Sequence, residues 1–185
     1  MYTPSPSTKS IIPNLSDELY HVALHLMEQY YPAKATSEIK LPLVPHLLET
    51  AKIISTLELR DTSILATLLA YVPFYHPEHW KDKLASHIDD EVISLIYGFN
   101  QIQELTNFIK DAAFATAQER IKQTESMRKM LLAMVNDIRI VFIQLAMVTH
   151  NMRQLSKAPC DFDQSAYAKK TLDIFAPLAN RLGIW

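Results

Sequence analysis

The sequence predicts an all-α fold, a helical bundle, and three observations carry that expectation. Only two glycines, Gly98 and Gly183, occur in 185 residues, so tight hairpins have almost nothing to be built from. Apolar residues recur at three- and four-residue intervals through most of the chain, the spacing of one face of a helix. Between these runs stand the residues that start and stop helices: serine and aspartate before them, proline after them.

Residues 1–13 carry Pro4, Pro6 and Pro13 among serines and threonines and lack the basic start and apolar core of a signal peptide, so they read as a flexible arm. Behind Ser16, Asp17 and Glu18, the stripe Leu19, Val22, Ala23, Leu26, Met27 and Tyr30 predicts a first helix ending near Pro32. Leu47, Leu48, Ala51, Ile54 and Leu57 predict a second, starting just after Pro45, with His46 in its first turn. Asp61 is the expected N-cap of a third, running to about Tyr71 and apolar nearly all round, hence central; Pro73 should stop it. Pro77 should open a short helix anchored by Trp80 and Leu84, and Asp89 and Asp90 another that carries Val92, Leu95, Ile96 and Phe99. The stretch 107–122 is weakly patterned and reads as a mobile helix or loop. Two long core helices follow, one with Met127, Met130, Leu131 and Met134, the other from Ile138 through Leu145 to Met152 and Leu155. After a break at Pro159, Tyr167, Thr171, Leu172, Phe175 and Ala176 form a last helical face, bent or ended by Pro177. The apolar, glycine-punctuated end at Trp185 reads as a cut inside a longer polypeptide.

Composition narrows the function. Hydrophobic residues make up 49% and charged residues 21%, an ordinary globular balance, so residues 14–185 should form one domain with its own core. Scarce glycine removes the phosphate-cradling loops of P-loop and dinucleotide-binding proteins. A net charge of −2 with scattered lysines and arginines gives no field for nucleic acid, and no apolar run is long enough to span a membrane. The single Cys160 excludes an internal disulfide and suits the reducing cytoplasm; it lacks a base nearby in sequence and reads as inert.

Local clusters add little. His21, His25 and Glu28 share a helical face at a spacing that can ligate zinc, but opposite the apolar stripe, so they read as a solvated polar face. His76 and His79 lie in a proline-marked loop without a second ligand cluster. Met127, Met130, Met134, Met147 and Met152 read as adaptable core filling.

The blocks RKMLLAM at 128–134, DIR at 137–139, HNMR at 150–153 and APLANRLGI at 176–184 resemble the RelA/SpoT homologue family almost without gaps from 125 to 184. From His46 to Tyr71 the likeness is weaker but in register. The resemblance implies an HD-domain helical bundle. In active members a histidine, a His-Asp pair and a distant aspartate hold manganese, and the domain removes the 3′-pyrophosphate of guanosine alarmones. Here the first histidine falls on His46, the His-Asp pair on Ala70 and Tyr71, the last aspartate on Met147, and the acidic pair that assists water attack on Phe74 and Tyr75. Manganese favours carboxylate and imidazole, so one imidazole and a thioether should not hold it, and no cofactor is expected. The family's basic, glycine-containing substrate loop is replaced by TSEIKLP at 36–42.

The resemblance therefore implies the degenerate, RelA-type form: a (p)ppGpp pseudo-hydrolase domain without catalytic residues or metal. Its expected partner is a GTP pyrophosphokinase domain, the alarmone synthetase, later in the same polypeptide and followed by regulatory domains, and its setting is the stringent response. Two other readings stay open. One is an HD phosphohydrolase with a rearranged metal site around His46, His76, His79 or His150; the other is a vestigial site that senses (p)ppGpp through Arg128, Lys129, Asn151 or Arg153.

Overall fold

A computed structural model describes residues 10–110, 129 and 137–183. Among the described residues every regular element is helical, and extended pairing is confined to an isolated antiparallel bridge between Thr36 and Pro42. The all-α expectation holds.

Helix α1 spans Asp17–Tyr30. Ser16 is extended and its side chain accepts from the Leu19 N–H, while Asp17 and Glu18 sit at the positive end of the helix dipole. Within the arm expected over 1–13, Ile12 is buried in the core and the Ser10 N–H bonds the Asp17 carboxylate; residues 1–9 lie outside the described residues. Helix α2 spans Leu43–Ser55 and starts before Pro45, not after it. A proline in the first turn costs nothing there, since that N–H has no intrahelical acceptor.

Helix α3 spans Asp61–Leu69 and is buried from Ser63 onward, as its apolar content requires. Arg60, not Asp61, holds the capping position; Asp61 is the first helical residue and acts on the dipole. Pro73 does not stop the chain but sits in the first turn of a short helix α4, Val72–Tyr75. Helix α5, Trp80–Ala85, opens beyond Pro77 after His79 takes a left-handed conformation, and it buries the expected anchors Trp80 and Leu84.

Helix α6, Asp90–Lys110, runs into the stretch read as mobile. Ile102 and Thr106 are both buried one turn apart and extend the stripe of Val92, Ile96 and Phe99. The rest of that stretch, and the helix expected around Met127, Met130 and Met134, lie outside the described residues apart from Lys129. Helix α7, Ile138–Gln154, is capped by the Asp137 side chain and buries Met147; Met152, read as core, is instead exposed. Helix α8, Gln164–Lys170, passes through a wide π turn, Thr171–Phe175, into α9, Ala176–Arg181. Pro177 therefore lies in a new first turn, where its missing N–H is tolerated.

Helix α2 packs between α3 and α7, α3 also meets α1 and α6, and α6 closes on α7. Gly98 sets that last approach: a Cβ there would run into the Ile140 side chain. The arrangement brings the first turn of α2 against the middle of α7.

Candidate functional site

Helix α2 contributes His46 and α7 contributes Met147, and each is almost fully buried, 3% and 1% exposed. The two side chains meet, with His46 Nε2 3.2 Å from Met147 Sδ. One helical turn beyond Met147, the half-buried His150 tilts its ring to 5.0 Å from that of His46. Burial, and then the neighbouring His150, lowers the His46 pKa to about 3, so the imidazole is neutral at physiological pH. His150 is also lowered, chiefly by burial; Glu49 opposes the shift, while Arg153 and Lys157 add to it.

The family's manganese chemistry does not fit this pair. A hard divalent ion wants several oxygen or imidazole donors, and here the buried side chain opposite His46 is a thioether. Among the described residues, no group of three or more histidine, cysteine, aspartate or glutamate side chains is placed to hold a metal ion.

Ala70 and Tyr71 follow α3, which packs against α2. Ala70 is buried and its carbonyl accepts from Asn100 Nδ2 at 2.9 Å. The Tyr71 N–H donates to the Tyr31 hydroxyl, which itself donates to the Leu68 carbonyl, and the Tyr71 ring tilts against Phe99. Burial pushes the Tyr71 phenol well above its ordinary pKa, with Glu38 and Tyr75 adding to the shift, so it is a neutral packing group. Phe74 is 71% exposed, and Tyr75 exchanges hydrogen bonds with the Thr36 backbone. Neither side chain offers a carboxylate for proton transfer at water.

The loop 36–42 is held from two sides, a feature that sequence reading missed. Ile39 is fully buried against Ala158 and Tyr167. Glu38 pairs with Lys170 at 2.8 Å in a largely buried contact, and Lys40, in a left-handed conformation, pairs with Asp161 at 2.6 Å on the surface. The Tyr167 phenol is pushed up by its burial and by Glu38, and it accepts from Asn151 Nδ2 at 2.8 Å. Asn151 Oδ1 is buried without a hydrogen-bond partner among the described residues. The loop's two ion pairs join residues more than a hundred positions apart, so no local pattern announces them; the charge signs of Glu38 and Lys170 were the available signal.

Of the four residues expected to contact nucleotide, three are among the described residues. Asn151 is buried, Lys129 and Arg153 are exposed, and Arg128 lies outside the described residues. Arg153 and His150 instead rim an open groove of about 470 Å³ with Glu49, Lys52, Ile53, Thr56 and Gln154. His25 and Glu28 are exposed beside a half-buried His21, as a solvated face should be. His76 Nε2 lies 2.9 Å from the Tyr30 carbonyl, and the exposed His79 faces Asp82, so the two do not converge on one site.

The HD domain family matches residues 23–185. The chain is 38% identical over 143 residues to a GTP pyrophosphokinase of Myxococcus xanthus, a match that covers 77% of this chain and 18% of the relative. It is also 38% identical to a guanosine-3′,5′-bis(diphosphate) 3′-pyrophosphohydrolase of Haemophilus influenzae, covering 77% of this chain and 20% of that one. A third relative, the bifunctional (p)ppGpp synthase/hydrolase SpoT of Escherichia coli, is 34% identical, covering 77% and 19%. The chain belongs to the RelA/SpoT family. It is an HD domain of that family and spans about a fifth of the length of these curated relatives. Among the described residues no helix is long and apolar enough to cross a membrane.

Proposed function

We propose that this HD domain is a pseudo-hydrolase: a cytoplasmic regulatory module that presents a rigid helical surface to an alarmone synthetase domain of the same polypeptide in the stringent response. The observation that carries the reading is the contact of Met147 Sδ with His46 Nε2, a thioether where the family's resemblance calls for a metal-binding carboxylate. Buried and neutral, this pair offers a hard cation neither charge nor an oxygen donor. Ala70 and Tyr71 in place of the His-Asp pair, and Phe74 and Tyr75 in place of the acid-base pair, support the same conclusion. The loop 36–42, with Ile39 buried and Glu38 paired to Lys170, supports a surface closed by side chains rather than one open to a nucleotide. A rigid module of this kind biases a two-state neighbour through differential contacts alone.

The test is incubation of the purified chain with guanosine tetraphosphate and manganese, followed by separation of the nucleotides. The expected result is no release of pyrophosphate. Turnover that a chelator abolishes would overturn the proposal and favour a rearranged metal site.

A further inference from the structure

The pair that excludes manganese has a chemistry of its own. Thioether sulfur is a soft donor that selects copper(I), and imidazole is compatible with it. From the geometry we infer that His46, Met147 and His150 form a binding site for a soft monovalent cation, copper(I), at the α2–α7 contact.

Three placements support this site. His46 Nε2 and Met147 Sδ already converge at 3.2 Å in a buried position, so few rotamers need to be fixed when an ion binds. Metal–nitrogen and metal–sulfur bonds of about 2.0 and 2.3 Å at a trigonal angle put the two donors roughly 3.7 Å apart. The pair must therefore open by only about half an ångström, which the unbranched, three-torsion methionine side chain supplies by a small rotation. His150 stands with its ring 5.0 Å from the His46 ring, close enough to complete a three-donor set. Because His150 is half-buried and also rims the groove that holds Glu49 and Gln154, it gives the buried pair a route to solvent.

The site is independent of the regulatory reading, and its test needs no nucleotide. Cys160 is an exposed thiol that would itself capture copper(I), so the experiment is run in the Cys160→Ser background. Under anaerobic conditions the 185-residue chain competes with a chromophoric copper(I) chelator, and the bound equivalents are read from the chelator's absorbance. The expected result is one equivalent of copper(I), with the affinity lowered roughly tenfold or more by Met147→Leu and by His150→Gln. Leucine conserves the volume of methionine, and a melting curve confirms that each variant is folded. No competition for copper(I) by the Cys160→Ser chain, or undiminished affinity in either folded variant, overturns the proposal.

Discussion

Two regions of the same helix treat polar chemistry in opposite ways. At the start of α7, Arg139 gathers charge: its guanidinium forks onto Asp137, reaches Glu91 on α6 at 2.7 Å and donates to Thr62 on α3 at 3.1 Å. Asp137 and Glu91 remain about a third exposed, and Arg139 holds the Asp137 carboxyl below its usual range. Eight residues after Arg139, the same helix offers a thioether to a neutral, buried imidazole. The difference teaches where this fold tolerates charge. Ionised groups persist where a partner and some water are both present, whereas a carboxylate in the dry α2–α7 contact would need a metal to compensate it.

The largest expected effect is obtained by putting that carboxylate back alone. Met147→Asp should destabilise the domain by about 3–5 kcal/mol, against under about 1.5 kcal/mol for Met147→Leu, because the first strands a buried charge and the second only reshapes the packing. Urea denaturation of the two variants measures the gap. Near-equal stability would mean that the pocket is wet and the contrast between the two regions false.

Acid sensitivity comes next. The folded-state pKa of His46 is depressed from 6.5 to about 3, so the unfolded chain takes up the proton first as pH falls. Stability is complete above about pH 6.5 and is lost progressively toward pH 3, by up to about 4 kcal/mol from this group. Lowered His150 and Asp137 act in the same direction, the carboxylate at lower pH. Comparing His46→Leu with the parent isolates the His46 share: the variant should lose less stability between pH 6.5 and pH 4. Parallel curves would place His46 in contact with solvent.

Smaller effects belong to the charged end. Arg139→Ala leaves Asp137 and Glu91 without their shared partner and should cost about 1–2 kcal/mol, more at low salt than at high. Arg60, which meets Glu91 from a 75% exposed position, should matter by less than about 0.5 kcal/mol when changed to alanine. If thermal melts rank Arg60→Ala above Arg139→Ala, the network at the start of α7 is organised differently from the geometry described.

Much was legible in advance because it is local. The start of α1 follows from a serine cap and acidic residues on the dipole, and the burial of α3 follows from its run of apolar residues. The positions of His46, Ala70, Tyr71 and Met147 could be singled out because blocks of neighbouring residues keep a family's register. Prolines misled where they fall in first turns: Pro45 read as the residue just before a helix, Pro73 as a stop and Pro177 as a bend or end, yet a missing N–H is harmless at a helix start. Residues 10–13 misled for another reason, since weak patterning hides whether a neighbouring element offers a surface to pack on.

The sequence by itself determined the helical class, the approximate helices and the side-chain chemistry available at each position, because propensity, capping and periodicity act within a few residues. Only the tertiary structure decided that Met147 touches His46 across 101 positions, that Glu38 finds Lys170 across 132, and that Tyr167 occupies the amide of Asn151. Such contacts are set by how α2, α7 and α8 pack, and packing answers to the shape and volume of the whole core rather than to any local pattern.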